Sequence, residues 1–209
     1  MYWSPSPLAI VRQVGNKILK MERVISRDLT IETARCLLRC PSVEDIPYVF
    51  SATRFAGFND GMQWEAPATI DELDEPFRAS LLAWNEGEIF GFTIADPVSN
   101  SLWGRIGVRK TDRPNIWNLG FWTHPEHQGK GYMTESVVAI MAFGFDRLDA
   151  IQIEASYALW NKSSQRVLEK VGMRSVMYIP HGFQKRGRWI EINKTSITKQ
   201  KWLAIYCEG

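Results

Sequence analysis

The sequence predicts a single α/β domain, and three features point there. Between Arg35 and Thr198, stretches with helical spacing take turns with short alternating apolar runs. No internal repeat and no Gly- or Ser-rich linker divides the chain. A strand-like run, "WNLGFWT", leads through a glycine-bearing turn, "THPEHQGKGYMTES", into a long helical pattern. At 209 residues the chain can bury one sizeable core.

The elements follow in order. Residues 1–33, with Pro5 and Pro7, read as an N-terminal arm, a hairpin being one form open to it. "RCLLRC" (35–40) is a short strand stopped by Pro41. Ser42, with Asp45 three residues on, makes a capping box and opens a helix through about Phe55. "FNDGMQWEAP" is a loop, and Thr69 with Glu72 is a second box. The helix after it runs towards Trp84, with Pro76 expected to kink or split it. "EIFGFTIAD" and "WGRIGVRK" are two strands of a hairpin, and "WNLGFWT" (117–123) is a third. Gly120 within it suggests a bulge or the close approach of another backbone.

Met133, Val137, Ile140, Met141, Gly144 and Leu148 then recur at helical spacing, and "IQIEASY" alternates as a strand. Asn161 is an N-cap for a short helix with Val167, Leu168 and Val171 on its apolar face and Gly172 as its stop. Two last strands, about 175–181 and 188–198, flank "GFQKRG". The chain therefore divides into an arm (1–33), a domain (34–200) and a C-terminal tail (201–209).

Bulk properties narrow the function. A net charge of +2 gives no general electrostatic case for nucleic acid or a membrane. The Lys185, Arg186 and Arg188 cluster reads as a solvated hairpin. Three cysteines, Cys36, Cys40 and Cys207, form no disulfide framework, so reduced thiols in the cytoplasm are expected. No apolar run spans a bilayer, and the first residues lack the pattern of a secretory leader. Nine tryptophans exceed what a core of this size needs, so some should line a cleft.

What the two glycines do is the central question. The first-turn amides of a helix have no internal partners, and the helix dipole makes that end positive. Gly129 and Gly131 remove the Cβ atoms that would hold a phosphate away from such amides. A tight strand-to-helix turn needing positive φ would ask for the same residues. Lys130 precedes Gly131, so there is no Gly-Lys-Ser/Thr of a nucleotide P-loop. Thr134 stands where a dinucleotide-binding fold would have its third glycine.

"WNLGFWTHPEHQGKGYMTES", followed about thirty residues later by "NKSSQRVLEKVGM", resembles the GCN5-related N-acetyltransferases, or GNAT superfamily. "TARCLLRCPSVEDI" is similar to the opening strand and helix of its RimJ/RimL group, which acetylates protein N-termini, including those of ribosomal proteins. The resemblance covers about Thr33 to Lys199. It implies a mixed, mostly antiparallel central sheet, splayed where acetyl-CoA binds and flanked by helices. It also implies acetyl-CoA as co-substrate and no metal.

By that resemblance, amides of Gln128, Gly129, Lys130, Gly131, Tyr132 and Met133 cradle the CoA pyrophosphate. Backbone of Leu119, Phe121 and Thr123 meets the pantetheine arm, as does Asn161. Ser164 matches the serine that gives a proton to the leaving thiolate; a second capping hydroxyl is the other role open to it. An N–H at Phe121 or Trp122 stabilises the developing oxyanion, a donor whose loss typically slows such reactions by about 10²–10³-fold. His124 and His127 read as loop surface, and the three histidines are not grouped as a metal site.

The sequence departs from the family at one place. Asn118 stands where a strand glutamate is common, and the carboxylate usual on the terminal hairpin has no clear match. His181, Glu191, Glu154 or a water chain is left to act as base. The expected activity is acetyl transfer to a primary amine of a peptide N-terminus or small molecule, with a homodimer as a possible assembly. A CoA-binding module weakened in catalysis and, against the charge balance, an RNA-associated protein are the alternatives.

Overall fold

The structure is a computed structural model in which residues 25–206 are described. Most of the arm read from sequence (residues 1–24), and the end of the tail (207–209), lie outside these. The strands are β1 (Thr30–Glu32), β2 (Leu37–Arg39), β3 (Ile89–Ala95), β4 (Leu102–Lys110), β5 (Ile116–Thr123), β6 (Gln152–Ala158), β7 (Arg174–Lys185) and β8 (Arg188–Thr198). The helices are α1 (Ile46–Thr53), α2 (Asp74–Asn85), α3 (Tyr132–Arg147), α4 (Lys162–Lys170) and α5 (Lys199–Tyr206). The strands form one sheet in the order β1-β2-β3-β4-β5-β6-β8-β7. Among the described residues only β5 and β6 pair in parallel, because α3 carries the chain back between them. The expected mixed, mostly antiparallel α/β domain is what forms.

Local signals fix several ends. The Asp45 carboxylate accepts the Ser42 N–H at 3.0 Å, closing the first capping box. At the second, Glu72 accepts from Ala68 rather than Thr69, at 3.0 Å. Pro76 splits its helix as expected. A 3₁₀ turn (Ile70–Leu73) precedes α2, and Pro76 falls in the first α-helical turn, where its missing N–H has no intrahelical partner to lose. Asn161 caps α4, its Oδ1 accepting the Ser164 N–H at 3.0 Å, and Gly172 ends the helix at φ 87°.

One face of the sheet makes the core. Phe90 and Phe92 of β3 pack edge-on against Trp84 of α2, at 5.2 and 4.9 Å between centroids, and against Phe143 of α3, at 5.6 and 5.4 Å. Helix α3 therefore covers this face. The opposite face carries polar residues: Thr93 donates to Asp45 at 2.6 Å, and Arg39 donates to the same carboxylate at 2.7 and 3.0 Å.

Two sequence readings change here. Residues 201–206, read as tail, lie in α5, where Trp202 is buried against Phe145 at 5.5 Å. Lys185, read as solvated, is buried. Its ammonium donates to the Trp64 carbonyl at 2.7 Å and pairs with Glu65 at 3.1 Å. Arg186 reaches Asp60 and Glu65, both at 3.6 Å. The tip of the β7–β8 hairpin thus holds down the loop that follows α1.

Candidate active site

The parallel pairing of β5 and β6 is short. It runs from Ile116 opposite Gln152 to Leu119 opposite Ala155 and stops. Beyond that point β5 stays on β4 as far as Thr123 opposite Gly104, and β6 stays on β8 as far as Ala158 opposite Ile192. The strands part, so backbone from Gly120 to Thr123 presents an unpaired edge in the middle of the sheet. An edge of this kind, exposed at Gly120 and half-buried from Phe121 to Thr123, offers free backbone donors and acceptors, so the gap can take a ligand with amide-like groups. Gly120 is neither a bulge nor a close approach. Its register is unbroken, and a Cβ there would meet nothing within 4 Å.

The turn after β5 starts a helix a few residues beyond this edge. Gly129 and Gly131 have φ of 75° and 85°, a region that costs most residues strain, and Gly131 is the N-cap of α3. The turn therefore demands the glycines for its own geometry. The same geometry leaves the Tyr132, Met133 and Thr134 amides without intrahelical partners. Gln128 and Lys130 are exposed on the turn, and Gln128 donates to the Thr123 carbonyl at 3.2 Å. Arg35, which sequence reading did not single out, donates to the Lys130 carbonyl at 2.9 Å and to Glu135 at 2.8 Å. Its guanidinium lies 5.1 Å from the centre of the Tyr132 ring. This puts a cation at the positive end of α3.

The far wall is α4. Asn161 spends its carbonyl oxygen on the cap, while the Ser164 hydroxyl makes no hydrogen bond among the described residues. Capping therefore does not occupy that hydroxyl. Residues 54–69 form the roof. Phe58 meets Trp122 edge-on at 5.3 Å and Trp64 at 6.3 Å, and Gly61 lies against Trp160 and Asn161. Asn59 in this roof is buried with its Oδ1 unpartnered among the described residues. Beside the end of β6, a cavity of about 440 Å³ is lined by Leu159, Trp160, Pro180, His181, Trp189, Ile190 and Glu191. Several of the surplus tryptophans thus do border clefts.

The candidate bases differ in their surroundings. Glu154 is buried. Burial pushes its carboxyl up, but hydrogen bonds from Lys194 at 2.6 Å and from Arg113 outweigh that and hold it below the usual range. A carboxylate tied to two cations is a poor base. His181 and Glu191 share the cavity just described, where Glu191 accepts from the Tyr178 hydroxyl at 2.8 Å. Asn118 is half-buried beside Glu154 on the polar face.

His124 is a correction, since it is buried rather than surface. Its Nε2 lies 2.9 Å from Ser51 Oγ, and burial lowers its pKa. His124, Glu126 and His127 do gather, with ligand atoms within 4.8 Å of one another. Both His124 nitrogens are already engaged, by Ser51 and by the Glu126 N–H at 3.3 Å. The grouping is therefore read as packing.

The sequence profile of the acetyltransferase (GNAT) domain matches residues 35–174. The chain belongs to the GNAT acetyltransferases. It is thus an acyltransferase that draws on acetyl-CoA. The uncharacterized N-acetyltransferase YnaD of Bacillus subtilis is 25% identical over 172 residues, 82% of this chain and 98% of that protein. RimL, a ribosomal L7/L12 α-N-protein acetyltransferase solved with coenzyme A, superposes with a TM-score of 0.74 at 16% identity, over 81% of this chain and 98% of its own. Spermidine N-acetyltransferase from Vibrio cholerae, solved with CoA and spermine, gives 0.71 at 19% identity, over 81% and 99%. At such identities these two share the fold alone. Their near-equal fits span a protein N-terminus and a polyamine, so the fold does not choose the acceptor. Among the described residues of this GNAT chain no helix is long and apolar enough to cross a membrane.

Proposed function

We propose that this protein moves the acetyl group of acetyl-CoA to a primary amine of low pKa, with the α-amine of a peptide as the leading acceptor. The observation that carries the reading is the parting of β5 and β6 beside the glycine turn. Acetyl-CoA supplies an activated acyl group and a good leaving thiol. The chain does the rest. Amides of residues 128–133 and the Arg35 charge hold the pyrophosphate end. The β5 edge from Leu119, the last residue paired to β6, out to Thr123 aligns the arm together with Asn161. The neutral amine attacks the acetyl carbon, an N–H at Phe121 or Trp122 donates to the acetyl oxygen, and as the C–S bond breaks the Ser164 hydroxyl gives its proton to the departing sulfur and regains one through solvent from the nitrogen, which loses it as the amide forms. Holding both reactants in one cleft supplies the proximity term.

The choice of amine follows from the weak base. Asn118 cannot take a proton at neutral pH, and Glu154 is committed to Lys194 and Arg113. A lysine amine of pKa ~10.4 costs about 4–5 kcal/mol to deprotonate at pH 7, an α-amine of pKa ~8 only about 1 kcal/mol. The site should therefore favour amines already largely neutral. The same lack of a base supports a second reading, a CoA-binding module with little catalysis.

Two peptides separate the possibilities. One has a free N-terminus; the other is N-blocked and carries a lysine. Thiol release at pH 7 is expected to be at least about tenfold faster with the first, with a rate that climbs with pH towards the pKa of the amine. Equal or faster reaction of the lysine peptide would show a competent base, with His181 and Glu191 the residues to replace first.

A further inference from the structure

The sheet face turned away from α3 carries an unbalanced charge. Cross-strand pairing lines up Arg39, Thr93, Arg105 and Trp122 in one row across β2 to β5. Asp45 accepts from Arg39 twice, from the Thr93 hydroxyl and from the Ser42 N–H, so its capacity is spent. Arg39 and Asp45 cancel. Arg105, next in the row, is half-buried and makes no hydrogen bond or ion pair among the described residues. Burial lowers its pKa and the Asp45 charge works against that, yet a guanidinium keeps its proton at any ordinary pH. Among the described residues this leaves one recessed positive charge with five donors unused, and such a charge is unfavourable until an anion meets it.

The neighbouring row leads from the gap to that charge. It consists of Gly120, Gly107 and Gly91, on the same face because side chains alternate with a period of two. Gly107 is needed by the sheet itself, since a Cβ would stand 2.7 Å from the Phe90 carbonyl oxygen. Gly120 and Gly91 have no such backbone constraint. A Cβ on Gly91 would lie 3.9 Å from Arg105 Nη2, which places the guanidinium over the far end of the row. The path therefore begins on the unpaired edge of β5, beneath Trp122, and ends at Arg105.

We infer that Arg105 selects the acceptor by binding a carboxylate on a peptide whose backbone lies along Gly120, Gly107 and Gly91. The inference rests on the reading above, that the amine meets the acetyl group at the β5 edge. Two strand spacings of about 4.8 Å separate the ends of the row, and an extended chain covers about 3.4 Å per residue. The carboxylate thus sits roughly two to three residues from the amine. An acidic side chain at the second or third position of a peptide N-terminus fits. A free α-amino acid does not, because its carboxylate is next to its amine.

The test uses two peptides with free N-termini, identical except for Asp or Asn at the third position. Thiol release is measured with wild type, Arg105→Met and Arg105→Lys, and melting temperatures report whether the variants are folded. Wild type should prefer the Asp peptide by roughly 10–100-fold in kcat/KM, the range expected for hydrogen bonds between charged groups. Arg105→Met should erase most of that preference, and Arg105→Lys should retain part of it. Wild type that does not distinguish the peptides, or Arg105→Met that slows both alike, overturns the inference while leaving acetyl transfer standing. Should Arg105→Met fail to fold, the wild-type contrast decides alone. No thiol release with either peptide by folded wild type overturns both this inference and the acetyl-transfer reading beneath it.

Discussion

Gly131→Val is expected to weaken acetyl-CoA binding by at least about tenfold while leaving most of the fold intact. Gly131 sits at φ 85°, where a β-branched side chain is a genuine outlier. Holding such a residue there costs on the order of 1–3 kcal/mol. Its Cβ would also stand 3.2 Å from the Arg35 guanidinium, which is flexible enough to yield. The turn can relax only by moving, and movement takes the amides of residues 128–133 out of line with the α3 axis. An affinity loss of about 1.4 kcal/mol is a factor of ten. Calorimetry of the folded variant with acetyl-CoA checks this. Unchanged affinity would mean that these glycines serve the turn and nothing more.

Loss of the Asp45 carboxylate should be the most destabilising single change on the polar face. Asp45→Ala leaves Arg39 without its countercharge, though still hydrogen-bonded to Asn100, and strands the fully buried Thr93 hydroxyl, beside an Arg105 that has no partner among the described residues. Removing one member of a buried pair typically costs about 3–5 kcal/mol. The acid limb of the stability curve carries the same information. Burial pushes the Asp45 carboxyl up, but Arg39, Thr93 and the Ser42 N–H together hold it below the ordinary value. A depressed carboxyl contributes stability that is present above the unfolded pKa of ~3.9 and is lost as pH falls from there through the folded value. Asp45→Asn should therefore lower stability at pH 7 and flatten its fall below about pH 4. An unchanged acid limb in denaturant titrations would refute this account of Asp45.

What could be read from sequence divides by distance along the chain. The cap of α4 and the first capping box lie within three residues, so Asn161 and Asp45 announced themselves. The role of Asp45 as the hub for Arg39 and Thr93 did not, because Thr93 is 48 residues away. Lys185 looked solvated for the same reason, its carbonyl partner lying 121 residues earlier. The acidic Asp60 and Glu65 opposite the basic hairpin were the available signal, and charge complementarity alone cannot specify such a pairing. His124 was misread because nothing local shows that α1 brings Ser51 to it. The gap between β5 and β6 was legible only through resemblance, since the point where two strands stop pairing leaves no mark in either. Asn118, Gly120 and Trp122 alternate in "WNLGFWT", yet which face they share with Arg105 emerges only from the register.

Release of free CoA thiol tests the central claim most directly. Wild type and Ser164→Ala would be given acetyl-CoA with a panel of peptide N-termini, amino acids and small amines, and binding of acetyl-CoA would be measured alongside. Wild type should release thiol with a peptide α-amine. Ser164→Ala should bind acetyl-CoA as wild type does and turn over slower by on the order of 10²-fold, the scale of a lost general acid. Saturable binding of acetyl-CoA with no amine in the panel provoking thiol release would contradict the account and leave a protein that holds CoA without transferring from it.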